Sequence, residues 1–182
     1  MTDPLSVLHR VPPALSEQDS WARLCCEQAI LAWQQGCYAV GAVLVDDQQQ
    51  LVCEGRNQVF EQGYHSDRHA EMQLLSLLEN EHCELNRRAL TLYVTLEPCL
   101  MCYGRILLSG IGRVRYLVAD REGGFTRQQR HLPPAWKDLA SGLIVEKASV
   151  QPFWQQLAAD LILLYQSRQQ LRERVVQAWQ GR

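Results

Sequence analysis

Apolar residues first recur at helical spacing, at Trp21, Leu24, Cys25, Leu31 and Ala32. The period predicts a helix from Ser16 to Gln35, with Ser16 as its N-cap and Gly36 as its stop. The period then shortens. "YAVGAVLVDD" and "LVCEGRN", separated by "DQQQ", read as a hairpin of the first two strands. The glycine-containing polar loop "QVFEQGYHSDR" leads into "HAEMQLLSLLENEH", a run of strong helix formers with Leu74, Leu75 and Leu78 on one side. "ALTLYVTL" is a third strand. "PCLMCYGRILLSG" is a helix opened by Pro98 and ended by Gly110, and "RVRYLVA" is a fourth strand. Asp120 to Gly142 reads as a long loop with one or two helical turns at "AWKDLA". "LIVEKA" makes a fifth strand, and a long helix follows from Pro152 to about Gln170. The segment before Ala14 is proline-marked and irregular. This alternation predicts an α/β fold with three layers, α/β/α, around a mixed sheet.

Composition adds bounds to that pattern. The chain has 182 residues, 47% hydrophobic and 21% charged, which suits one folded domain rather than a disordered segment. A formal net charge of -2 gives no global attraction to nucleic acid or anionic membrane. The positive charge is nearly all arginine and is locally dense over Arg113 to His131 and from Arg168 onward, which reads first as solvated faces. On that reading Arg168, Arg172 and Arg174 form one solvated helix face. The N-terminus lacks the basic and apolar regions of a secretion signal, and the apolar stretch at Leu157 to Tyr165 is too short to span a bilayer. A soluble, cytoplasmic chain with no membrane segment is expected. Seven irregularly spaced cysteines are not a disulfide framework.

The chemistry concentrates at two strand-to-helix junctions. One helix opens with His69-Ala70-Glu71, the other with Cys99 and Cys102. If the preceding strands run in the same sense, both helix starts lie at one edge of the sheet, where open α/β sheets build their sites. Cysteines three apart on a helix share a face, and helix N-termini favour thiolate. One histidine and two thiolates make a soft ligand set that suits zinc and leaves one position for water. Glu71 is then a carboxylate close to the metal and free to move a proton. Rival readings are a redox pair at Cys99 and Cys102, and a closed structural zinc site completed by His65, His82, Cys53 or Cys83.

His-x-Glu followed by Pro-Cys-x-x-Cys is the signature of zinc nucleobase deaminases. With "VGAVLV", "EGRN", "HAE" and "LYVTLEPCLMCYGRILLSGIGRVRY", the chain resembles the cytidine/deoxycytidylate deaminase superfamily over roughly 39–118. It is most similar to the branch of tRNA adenosine deaminases and bacterial guanine deaminases. The resemblance implies a five-stranded mixed sheet of cytidine deaminase-like fold. It implies Zn2+ held by His69, Cys99 and Cys102, and Glu71 shuttling the proton between water and departing ammonia. It further implies Asn57 and the backbone of Ala70 as substrate contacts, and a homodimer. It divides the chain into an N-terminal arm (1–15), a zinc deaminase domain (16–170) and a C-terminal helical extension or tail (171–182).

Some positions depart from that branch. Tyr38-Ala39-Val40 enters the first strand where relatives commonly carry proline, and the loop from Asn57 to His69 is slightly long. "DREGGFTRQQ" places Thr126 and Arg127 where guanine deaminases carry an aspartate, and lacks the lysine-and-glycine pattern of the tRNA enzymes. The leading expectation is a zinc-dependent hydrolytic deaminase of a small nucleobase or nucleoside, purine before pyrimidine. The alternatives are adenosine-to-inosine deamination in tRNA and a catalytically silent zinc-binding interaction protein. Glu97 reads equally as a supporting residue or a helix-start carboxylate. Phe125 reads as packing under its loop, and Trp136, Phe153 and Trp154 as core or interface.

Overall fold

The computed structural model of the chain describes residues 8, 11–164 and 168–181. Most of the arm at 1–15 lies outside the described residues, as do the side chains of Arg168 and Arg172. Helix α1 spans Glu17–Gln34 and begins with a capping box: Asp19 N–H donates to Ser16 Oγ, and Asp19 Oδ2 accepts from the Ser16 N–H at 3.1 Å. Strands β1 (Gly41–Val45) and β2 (Leu51–Arg56) form the expected antiparallel hairpin. Asp46 Oδ1 closes its turn by accepting from the N–H groups of Gln48 and Gln50. Helix α2 (Ala70–Glu81), strand β3 (Thr91–Leu96), helix α3 (Leu100–Ser109) and strand β4 (Arg113–Val118) follow. Gly110 ends α3 with φ of 80°, a left-handed cap that glycine adopts without a Cβ penalty.

The sheet order is β2-β1-β3-β4-β5, with β5 at Ile144–Lys147. β1 is antiparallel to both β2 and β3, so β2 and β3 point the same way, and β4 and β5 continue parallel to β3. This mixed sheet matches the expectation and brings the ends of β2, β3 and β4 to one edge. β1 is buried at every position because both of its edges are paired and both of its faces covered. On one face Ala42, Leu44, Leu92 and Val94 meet Leu74, Leu75 and Leu78 of α2 and Ile106 of α3. On the other, Ala22, Cys26, Ala29 and Ile30 of α1 pack with Leu117, Trp154, Leu157 and Leu161.

Two expectations change at the C-terminal end. The helix from Pro152 does not run to Gln170: α5 covers Pro152–Leu163 and a separate helix, α6, covers Arg168–Trp179. (The short helix α4, at Pro134–Ala140, precedes them in the chain.) Nor is Arg174 on a solvated face. Its Nη1 donates to the Gly36 carbonyl at 2.6 Å, and its guanidinium lies 3.7 Å from the centroid of the Phe60 ring. The basic segment beginning at Arg113 is likewise partly absorbed by the fold, since Arg115 pairs with Glu146 at 2.8 Å and donates to the Tyr93 hydroxyl at 2.9 Å.

Candidate metal centre and substrate cavity

Each ligand candidate is placed by a helix start. His69 is the N-cap residue of α2, Cys99 is the N-cap residue of α3, and Cys102 lies in the first turn of α3. Because β2 and β3 run in the same sense, the two helix starts meet. His69 Nδ1 lies 3.7 Å from Cys99 Sγ and 3.5 Å from Cys102 Sγ. All three ligand atoms fall within 4.8 Å of one another. Tetrahedral zinc with ordinary Zn–N and Zn–S lengths needs an N···S edge of about 3.5 Å. The spacing and the donor chemistry therefore fit the ion. Among the described residues the group has three ligands, which would leave a fourth coordination position of a bound ion to water. His82 caps the far end of α2, and Cys83 is exposed beyond it. Neither these two, His65 nor Cys53 belongs to the group.

The protonation pattern fits a site built to share charge. A hydrogen bond with Cys102, reinforced by His69, holds the Cys99 thiol down to about 4 despite burial. The Cys102 thiol is pushed up by that same bond and by burial, so one thiolate of the pair is favoured without a metal. Burial works against the His69 imidazolium, but the Cys99 hydrogen bond and the charges of Glu71, Cys99 and Asp67 turn the net shift upward. Glu71 is 4% exposed, and burial raises its carboxyl above the usual range against the pull of His69.

A cavity of about 810 Å³ opens beside this group and is lined by His69, Glu71, Cys99 and Asn57. Asn57 is 2% exposed, follows β2 directly, and its Oδ1 accepts from the Val59 N–H at 3.1 Å. With that oxygen engaged, the amide nitrogen is what Asn57 offers the cavity. Ala70 is fully buried, between the lining residues His69 and Glu71. Tyr38, Glu97, Arg121, Ile162 and Leu163 also line it, from four separate parts of the chain.

Glu97, open to two readings from sequence, is a supporting carboxylate. It accepts from the Asp120 N–H at 3.0 Å and from the Thr126 hydroxyl, and lies 3.6 Å from the Arg127 guanidinium. Phe125 N–H donates to the Pro98 carbonyl at 3.0 Å, and Gly124 bridges Cys99. A Cβ on Gly124 would lie 2.5 Å from the Glu97 carboxyl carbon, so only glycine allows this approach. Phe125 packs on Tyr103, with centroids 5.4 Å apart, as expected. No local pattern announces the Glu97–Thr126 contact, because the two residues lie 29 positions apart.

Comparison with known proteins agrees with this geometry. The model of the cytidine and deoxycytidylate deaminase zinc-binding region matches residues 15–118. The tRNA-specific adenosine deaminase of Haemophilus influenzae is 37% identical over 134 residues, covering 70% of this chain and 76% of that protein. The tRNA-specific adenosine deaminase of Bacillus subtilis is 32% identical over 114 residues, covering 60% of this chain and 67% of that protein. A solved guanine deaminase from Nitrosomonas europaea superposes with a TM-score of 0.61 at 18% identity, over 89% of this chain and 93% of that one. A structure from a study of A-to-I editing by tRNA:A34 deaminases gives a TM-score of 0.61 at 24% identity, over 78% and 98%. At these identities the two structural matches speak to the fold alone.

Proposed function

Since the chain belongs to the cytidine and deoxycytidylate deaminase zinc-binding family, we propose that it deaminates adenosine to inosine within tRNA. The chain is a zinc-dependent hydrolytic deaminase of the purine-acting kind, releasing ammonia from a cyclic amidine. The observation that carries the chemistry is the meeting of His69, Cys99 and Cys102 beside the buried Glu71 at the wall of one cavity. The tRNA substrate reverses the order expected from sequence, which put a free base or nucleoside first. It is supported by the two tRNA-specific relatives above 30% identity, whereas the guanine deaminase likeness rests on fold. The cavity volume, about 810 Å³, leaves room beyond a single base, and the exposed Arg121 in its lining offers a cation to a phosphate backbone.

In this reading His69, Cys99 and Cys102 hold the ion. When bound, zinc lowers the pKa of a water toward neutrality. Glu71 takes a proton from the attacking water as the new C–O bond forms at the amine-bearing ring carbon. It delivers that proton to the adjacent ring nitrogen and then carries the remaining hydroxyl proton to the amine as the C–N bond breaks, so that ammonia leaves and the ring keeps a carbonyl. Burial suits the carboxyl to carry a proton. Asn57 orients the nucleoside through its amide nitrogen. Ala70, the first residue of α2, has an N–H with no intrahelical partner, and this is the group it would present to the base edge.

The enzyme is expected to act in the cytoplasm, where its seven free thiols stay reduced. Among the described residues, no helix is long and apolar enough to cross a membrane. A homodimer has a candidate surface on α3, where Leu100 and Leu108 are 63% and 60% exposed. Sedimentation of wild type against Leu108→Glu tests it, a monomeric wild type being the adverse result.

The deciding experiment follows inosine and ammonia over tRNA, free nucleosides and free bases, with zinc per chain measured alongside. Turnover of tRNA adenosine, weakened in KM by Arg121→Glu, supports the reading. Turnover of free bases alone restores the small-molecule reading. Stoichiometric zinc with no turnover of any substrate leaves the silent binding protein.

A further inference from the structure

Tyr38 and Asn57 face the same cavity from different loops. Tyr38 sits in the turn between α1 and β1, and Asn57 begins the loop that leaves β2. Neither lies within a strand, so the sheet alone does not fix their side chains. Both loops are instead gripped from outside the family-matched region by a single residue of α6. Arg174 Nη1 donates to the carbonyl of Gly36, two residues before Tyr38. The same guanidinium covers Phe60, three residues after Asn57, with Cζ 3.7 Å from the ring centroid. That is well inside the range over which a cation is held by a ring face. Phe60 stacks in turn on Tyr38, with centroids 5.7 Å apart and planes 26° apart, and tilts against Tyr64 at 5.8 Å. The result is a chain of contacts running from α6 through Phe60 to the cavity wall.

We propose that Arg174 is a positioning residue for the substrate cavity, fixing the Tyr38 wall and the Asn57 loop relative to each other. The planar guanidinium does two jobs that an ammonium cannot do together, donating in one direction while stacking in another. Loss of that clamp frees the two loops to move apart, and the substrate must then order them on binding. The cost falls on binding rather than on the proton transfer, because His69, Glu71 and the cysteines stand on helix starts that Arg174 does not touch. The inference rests on the cavity being the substrate site proposed above.

The test uses the full, zinc-loaded chain with Arg174→Ala, Arg174→Lys and Phe60→Leu. Arg174→Ala is expected to raise KM for tRNA adenosine about tenfold with kcat within about twofold of wild type. Arg174→Lys should recover part of that loss, and Phe60→Leu should add little on top of Arg174→Ala. Hydrogen exchange gives a readout independent of substrate. Amides in 36–40 and 57–64 should exchange at least about fivefold faster in Arg174→Ala, with α2 and α3 unchanged. Unchanged KM and unchanged exchange overturn the proposal. So does faster exchange spread evenly over the chain, which marks a general loss of stability. If wild type does not turn over tRNA, the substrate reading falls and the exchange pattern alone decides the role of Arg174.

Discussion

The floor and the walls of the cavity are made in different ways. The floor, His69, Glu71 and Cys99 with the buried Cys102 beside them, comes from two helix starts set down side by side by strands of like direction. Its geometry follows from short motifs and the sheet order. The walls come from Tyr38, the loop held by Glu97, and the end of α5, which approach from distant parts of the chain. Their geometry depends on side-chain contacts between those parts. Chemistry is thus placed by backbone topology, and the shape of the opening by tertiary contacts that can vary without disturbing the chemistry.

Changes to the floor should be the most damaging. Cys102→Ala is expected to take zinc per chain toward zero and activity to background, read by metal analysis of the purified protein. Glu71→Ala should keep its zinc and lose about 10²–10⁴-fold in kcat, the usual scale for a proton-transfer group. A Glu71→Ala variant of undiminished activity would overturn the assigned role. Walls should respond differently. Asn57→Ala, which loses the proposed substrate hydrogen bond and one loop bond, should raise KM by roughly tenfold with a smaller change in kcat. A large loss in kcat alone would place Asn57 with the floor.

The smallest effect concerns the frame beneath both. Burial favours a protonated Asp19, but hydrogen bonds from Gln151, Leu15 and Ser16 outweigh it and hold the carboxyl below its usual 3.8. Its stabilising contribution is therefore complete above pH 3.8 and is lost as pH falls through the depressed folded value. Asp19→Asn should cost about 1–2 kcal/mol at neutral pH. The gap in melting temperature between the two proteins should narrow as the solution is acidified below pH 3.8. A gap that stays constant with pH would show that Asp19 acts by packing alone.

The same division explains what the sequence disclosed. The hairpin, the two motif-bearing helices and the order of strands and helices were legible because helix caps, strand periods and turns act over a few residues. "HAE" and "PCLMC" carried the metal group for the same reason. Glu97 stayed ambiguous because Asp120 and Thr126 reach it from 23 and 29 residues away. Arg174 reads as solvated in the sequence because its partner carbonyl is 138 positions distant, at Gly36. The end of α5 at Leu163 carries no local signal, since apolar and helix-forming residues continue past it. The sequence announces Ser16 as an N-cap, but neither the reciprocal bond of Asp19 nor the distant Gln151 N–H groups from which Asp19 also accepts.

Placing a cysteine as the N-cap residue of α3 has a consequence for the protein's resistance to oxidation. Cys25 and Cys26, their thiols pushed up by burial inside the core, are poor targets for alkylating or oxidising reagents. Cys99 is only partly buried, opens on the cavity and is held as thiolate by its neighbours. Whatever removes the ion therefore uncovers a thiol biased toward thiolate at the proposed substrate cavity. A bound zinc ion would shield that thiol, and iodoacetamide labelling of Cys99 in stripped against zinc-loaded protein would report how well it does so.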